Sequence, residues 1–481
     1  MKQTNLCLLL SELSTRERTK FKEYVFSPYF NKHQRLRRLC EYLLRHAPDF
    51  EHPDLDRRQV YTVVYEEKDF KELRFNNLVS DLLQLLYDYL AQRAYDRQPP
   101  LKKQLLLTEL RERDAAAHVD RTARRFQQLL EQHPFRNYQF FLHQYALHEQ
   151  LDQFALTQKR RRYDENLQLQ NDKLDLYYMA NKFRIACDMA SRNIVIKAGY
   201  ECHRLDQLLG EYRGKESQYA QVPALVVYYE TLQMLTNTPS EPHYQQLKGR
   251  LRSNLALFPP QELRILYNYA LNYCIKMINT GHVNYYQEVL ELYKILLEQK
   301  IIFINGYLTQ WTYKNIVTVG IRLREFDWTE QFINQYNEAL PTEEKLNAFD
   351  YNMAALHYAR HNYKEALQQL HNVEFTDASY HLGAKIIQLK SYYELEEEEA
   401  FFALIEAFRK YILRHRELSD YRKKANANML KLAQRIYLLK SSRRTITTQA
   451  YRQKRRRIGQ LLESLEPLAN KDWLEEVFGK M

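Results

Sequence analysis

Few residues of this chain stand at spacings that do chemistry. His357 and His361 lie four apart, one helical turn, where two imidazoles can share a metal ion. No Glu separates them and no Cys or Asp adjoins them, so packing and turn roles are expected for both. His143 and His148 lie five apart and do not share a helix face closely, so no metal is expected there. The five cysteines are Cys7, Cys40, Cys187, Cys202 and Cys274, with no Cys-x-x-Cys pair among them. Scattered and odd in number, they read as buried free thiols of a reducing compartment. The chain has no Gly-x-Gly-x-x-Gly, no Gly-Lys-Ser/Thr loop, no Gly-x-Ser-x-Gly and no His-Glu-x-x-His. No catalytic, cofactor-binding or metal residue is therefore expected.

Charge offers a second kind of chemistry. Lys440 to Arg457 holds eight basic residues and no acidic one, and the whole chain carries +11, which leaves +3 for the remainder. Such a local surplus is how a polyanion footprint looks. Tyr451, Ile458, Leu461, Leu462 and Leu465 would form the apolar stripe of a helix there, flanked by Lys454 and Arg455. Arg452 and Arg456 then point outward one turn apart. Arg452, Lys454, Arg455, Arg456 and Arg457 are the candidate contacts for a nucleic acid or acidic partner, and a solvated face is the plainer alternative. Lys159 to Arg162 is a weaker basic cluster. The acidic run Glu396 to Glu399 reads as the opening of a helix, where carboxylates complement the dipole.

Those groups must be positioned by helices. The chain has 481 residues, of which 45% are hydrophobic, with 10 Gly and 13 Pro. That is roughly 2% Gly and 3% Pro, against about 7% and 5% in ordinary proteins. Sheets, hairpins and phosphate loops need Gly at positive φ, so the scarcity points to an all-α fold. The 38 Tyr suit half-exposed helices, where a ring fills a gap while its hydroxyl reaches water.

Along the chain, Ser14 to Glu17 has a capping-box pattern that starts a helix to about Phe26. Asn31 is placed to cap the next one, and Arg57–Tyr65 and Lys71–Ala94 follow. That last pair has a helix-turn-helix outline, but Leu73, Leu78, Leu82 and Leu85 at core spacing predict burial, not base reading. Pro99 and Pro100 break the chain at a soft boundary. Pro239, Pro242, Pro259 and Pro260 mark further connections.

From residue 261 the helices fall into regular pairs. These are Leu263–Ile278 with Tyr285–Gln299, Gln310–Arg324 with Trp328–Ala339, Asn347–Arg360 with Tyr363–Val373, and His381–Leu395 with Glu398–Leu413. The expected junctions of the first three are Gly281, Asp327 and Asn362. Trp473, Leu474, Val477 and Phe478 sit on one side of a short terminal helix and suit a docked cap.

Tyr358 stands 34 positions before Tyr392, as do Ala366 before Ala400, Leu370 before Leu404 and Val373 before Ala407. The stretch from Asn352 to Leu370 resembles a tetratricopeptide repeat, whose period is 34. Ala354 takes the small-residue place on the first helix, Tyr363 opens the second, and Ala366 sits at the crossing. The next unit keeps Ala400 but has Gln388 and Glu397 at the other two places. The preceding unit has Gly320 and Trp328, with Gln331 where Ala is expected. Ala354, Tyr358, Tyr363, Ala366, Leu370, Tyr392, Ala400 and Leu404 are the expected repeat-packing residues. Over most of the chain, Leu13 to Glu17, Phe21, Ser27 to Asn31, Leu78 to Leu83, Tyr87, Tyr89 and Lys471 to Leu474 resemble a group of helical-repeat proteins of Bacteroidetes-type bacteria. That resemblance implies a fold and a cytoplasmic setting and carries no activity.

The expectation is an all-α α-solenoid of antiparallel helix pairs, a tetratricopeptide-like superhelix behind an N-terminal helical module. Four sections are expected: the module over 1–97, long helices over 98–260, repeats over 261–420, and basic helices with a cap over 421–481. A non-catalytic scaffold or adaptor binding a protein or peptide follows from repeat architecture. Nucleic-acid binding through the basic tract is the alternative. The apolar runs are too short to span a bilayer, and the Leu6 to Leu10 run is too short for a signal segment, so a soluble, cytoplasmic chain with no membrane partner is expected.

Overall fold

The computed structural model describes residues 1, 3–158, 163–196, 198–237, 240–371, 378–415 and 418–481. Among them it has 24 α-helices and no strand, beyond an isolated bridge between Ile304 and Tyr307. Many helices adjacent in sequence pack on one another. The basic cluster at 159–162, Pro239 and Val373 lie outside the described residues.

Local chemistry explains many helix ends. Ser14 caps Thr15–Phe26 through a complete capping box: its side chain accepts from Glu17 N–H, and the Glu17 carboxylate accepts from Ser14 N–H at 2.8 Å. Asp56 accepts from the N–H groups of Arg58 and Gln59 to start Arg57–Tyr65. Asn31 does not cap the following helix, whose cap residue is His33. Its side chain is buried instead and ties the loop, donating to Val25 O and accepting from His33 N–H, both at 2.8 Å. Pro99 ends no helical region; it occupies the first turn of a further helix, Pro99–Glu112. Pro242 likewise sits in the first turn of Glu241–Ser253. A proline at that position loses no intrahelical hydrogen bond, which is why it begins a helix as readily as it ends one.

The chain divides into two compact units. The first comprises Met1–Met189, Gly199–Tyr229 and Ala256–Phe258; the second comprises Ala190–Ala198, Glu230–Leu255 and Pro259–Met481. Within the first, a core forms around Glu72–Asp96, whose Phe75, Leu78, Leu82, Leu86 and Tyr89 repeat at three- and four-residue spacing and are buried. Leu73 departs from the expectation: it is 76% exposed, while Leu85 is only partly buried. Leu73 lies on the opposite face from the stripe that Phe75 to Tyr89 define, and Leu85 lies at its edge.

Within the second unit four helix pairs share one connection. They are Pro260–Asn279 with Tyr285–Glu298, Gln310–Arg322 with Phe326–Tyr336, Thr342–Ala359 with Tyr363–Gln369, and Ala378–Glu394 with Glu398–Arg414. Each first helix is followed by one residue at positive φ: Gly281 at 98°, Arg324 at 60°, His361 at 64° and Glu396 at 59°. The next N–H returns to a carbonyl five residues back: His282 to Met277, Glu325 to Gly320, Asn362 to His357 and Glu397 to Tyr392, at 2.9 to 3.1 Å. This is the left-handed helix stop that satisfies the last orphan carbonyls.

These turns set the register. His361 and Glu396 are 35 positions apart, so Tyr358 stands opposite Tyr393, not Tyr392. Likewise Ala354 stands opposite Leu389 and Ala366 opposite Phe401, and all four are fully buried. Ala407 is exposed. In the preceding pair Asp327 lies in the first turn of the second helix, beyond the Arg324 junction. Phe326 opens that helix and Thr329, fully buried, takes the crossing place; Gln331 is exposed. The 34-residue spacing is off by one because the turn bond, and not side-chain similarity, fixes the phase.

Candidate interaction surface

The first helices of the last three pairs also pack directly on each other, Gln310–Arg322 on Thr342–Ala359 and the latter on Ala378–Glu394. Three long-range bonds tie successive pairs together. Tyr380 donates to Gln310 O at 2.9 Å, reaching past the intervening first helix. Arg360 pairs with Asp327 at 2.8 Å and Glu330 at 2.6 Å on the preceding second helix.

Lysines on the row and on Asp420–Ser441 lie over aromatic rings. Lys314 Nζ lies 4.6 Å from the Tyr351 ring centre, 4.7 Å from that of Tyr380 and 5.8 Å from that of Trp311. Lys390 lies 5.9 Å from the Tyr358 ring and 5.4 Å from that of Trp473; Lys440 lies 5.0 Å from that of Tyr393. Such contacts stabilise by about 0.5–2 kcal/mol each, more as water is excluded. Burial, with the Arg322 charge nearby, lowers the Lys390 ammonium to about 8, partly opposed by Asp472 and Glu476. Trp311 remains 44% exposed.

The terminal helix Lys471–Gly479 docks as its apolar side requires. Trp473, Leu474 and Val477 are buried in one core cluster with Met429, Leu432 and Tyr437 of Asp420–Ser441, and Phe478 packs partly buried against it. Its other contacts were not legible beforehand. The Trp473 and Tyr393 rings meet edge-on at 5.5 Å, and Asp472 pairs with Arg322 at 3.8 Å. The indole N–H lies near the Tyr358 hydroxyl but forms no hydrogen bond of good geometry.

The basic tract is less uniform than its sequence. Lys440 pairs with Glu396 at 2.7 Å, and the Arg455 guanidinium lies 5.4 Å from the Phe478 ring. Arg452, Lys454, Arg456 and Arg457 are exposed on Thr448–Ser464. Glu398 and Glu399 occupy the first turn of Glu398–Arg414, where the acidic run was expected to open a helix.

The expected repeat-packing residues divide by depth. Ala354, Ala366, Leu370 and Leu404 are buried, whereas Tyr358, Tyr363, Tyr392 and Ala400 are half-buried.

The histidines carry local roles. His361 occupies the positive-φ turn and bonds the Tyr363 hydroxyl at 2.7 Å, while His357 Nδ1 is buried without a partner. Burial lowers His143, and His148 bonds Asn166 at 3.0 Å. Sequence reading passed over His46, His52 and Asp54, whose donor atoms lie within 4.8 Å of one another. Asp54 Oδ2 lies 3.2 Å from His52 Nδ1. His52 Nδ1 also accepts from Asp54 N–H at 3.3 Å, and His46 Nδ1 bonds Tyr42 O at 3.1 Å. The cluster holds the loop before Arg57–Tyr65. The one signal for it was the density of His and Asp between His46 and Asp54.

Cys7, Cys40, Cys187 and Cys274 are buried free thiols and Cys202 is partly exposed. Among the described residues no helix is long and apolar enough to cross a membrane. No family model, curated protein or solved structure matches this chain.

Proposed function

We propose that this chain is a non-catalytic helical-repeat scaffold or adaptor, its second unit a tetratricopeptide-like α-solenoid that binds a protein or peptide along the row of first helices. One observation carries the reading: the first helices of the last three pairs pack directly on each other behind a common left-handed turn. Repetition of one supersecondary unit in this way builds an extended surface suited to partner chains. The aromatic and lysine side chains on that row fit it, because rigid rings anchor binding while ammonium groups favour acidic partners. The buried thiols support a cytoplasmic setting. Affinity purification of the full chain with a nuclease-treated control tests this. A stoichiometric protein retained after nuclease is expected; its absence would remove the reading.

A second reading rests on Arg452, Lys454, Arg456 and Arg457, exposed on one helix with no ion pair to them among the described residues. In that reading the tract binds RNA or DNA through phosphates. Affinity would then fall steeply with salt, and Gln at Lys454, Arg455, Arg456 and Arg457 would abolish binding. Salt-insensitive binding, or none, rejects it.

A further inference from the structure

The terminal helix reaches further than a cap needs to. Covering the end of the array requires contact with Asp420–Ser441 and Thr448–Ser464, which Leu474, Val477 and Phe478 supply. Asp472 and Trp473 do something else. They meet Arg322, Tyr358, Lys390 and Tyr393, side chains of three successive first helices that lie 80 to 150 residues earlier in the chain. The partnership is complementary in charge. Asp472 of the short helix pairs with Arg322 on the row, and Asp472 and Glu476 both favour the Lys390 charge, while Glu475 and Glu476 also pair with Lys471 and Lys480 of their own segment.

We propose that this part of the row is the partner-binding groove and that Lys471–Gly479 occupies it in cis, so the partner is a short acidic amphipathic helix whose aromatic anchor replaces Trp473 over Lys390.

This rests on the scaffold reading and assigns its groove. Two features argue that the cis segment is replaceable. Its anchor is a loose fit: Trp473 is only 5% exposed, yet its Nε1 donor approaches the Tyr358 hydroxyl without a well-aligned hydrogen bond. A partner offering a better-placed acceptor would gain part of the stabilisation that a good hydrogen bond contributes. The groove also continues past the short helix. Tyr351 lies two turns before Tyr358 on one face, and Trp311 three turns before Arg322. Trp311 is 44% exposed there, so a longer helix finds a second anchor site beside Tyr380, 5.5 Å from the Trp311 ring. An amphipathic helix seated by spaced anchors is an established recognition mode.

The test uses the full chain and a fluorescein-labelled peptide spanning residues 470–481, read by fluorescence anisotropy. The wild-type chain should bind it weakly, because the groove is filled. Trp473→Ala in the chain should tighten binding about tenfold, as removal of a competing closed state does. The surface pair Asp472→Lys with Glu476→Lys, which leaves the buried apolar side untouched, should act the same way. A Trp473→Ala peptide should bind neither form. In the released chain Lys390→Glu should abolish binding of the native peptide and restore it for a peptide carrying both lysines. Equal affinities for wild-type and released chains that melt cooperatively, or binding to neither, would overturn the proposal. The scaffold reading would survive that result, since it stands on the separate purification test.

Discussion

A Cβ built on Gly320 would lie 2.2 Å from Oγ1 of Thr329, nearer than any real contact. The first and second helices of this pair therefore cross where one residue has no side chain and the other is fully buried. Gly320→Ala forces them apart or pushes Thr329 off its Glu325 carbonyl bond of 2.6 Å. Overpacking of this kind costs about 1–3 kcal/mol. Thermal or urea unfolding should show that loss, and Thr329→Ala should recover part of it. Independent, additive effects would show that the two sites do not touch.

The turn residue Arg324 stands at φ 60° and is exposed. A non-glycine residue there carries a penalty of about 1–2 kcal/mol that glycine avoids, offset partly by the greater freedom of glycine in the unfolded chain. Arg324→Gly should raise the unfolding midpoint by the equivalent of about 0.5–1 kcal/mol. The converse change at Gly281, φ 98°, to Ala should lower it. An unchanged midpoint in both variants would contradict a shared left-handed stop.

The Glu17 carboxyl is held at about 2, against an ordinary 4.5, chiefly by its hydrogen bond with Ser14 and then by Arg93. The folded state therefore releases this proton at lower pH than the unfolded chain. The resulting stability is fully present above pH 4.5 and is lost as pH falls towards 2. Glu17→Gln should flatten the acid limb of stability between pH 5 and 3, about the ordinary carboxylate range. A limb equally steep in the variant would assign the acid sensitivity to other carboxylates.

Burial raises the thiols of Cys7, Cys40, Cys187 and Cys274, those of Cys40 and Cys274 to about 12. Thiol reactivity needs both thiolate and access. Iodoacetamide should label Cys202 alone in the native chain and all five cysteines after denaturation, counted by intact mass. Native labelling of a second cysteine would show that its helix opens.

Helix existence was largely legible because its signals are local. Ser14 with Glu17 and the stripe from Phe75 to Tyr89 are readable without neighbours. Pro99 and Pro242 were less so, because a proline reads as a break whether it ends one helix or starts the next. The phase of the pairs was misread by one residue because Ala366 resembles Ala400 in type, whereas the turn bonds match Ala366 to Phe401. Thr329 was passed over for the same reason: what the crossing selects is room beside Gly320, not an alanine. The apolar side of Lys471–Gly479 was visible as a pattern, but the meeting of Trp473 with Tyr393 and Lys390 depends on how distant segments fold back. Nothing in the linear order near Trp473 encodes it.

Hydrogen exchange on the full chain, with and without its copurified partner, tests the central claim most directly. The account predicts protection concentrated in Gln310–Arg322, Thr342–Ala359 and Ala378–Glu394. Protection confined to Thr448–Ser464 and erased by nuclease would contradict it.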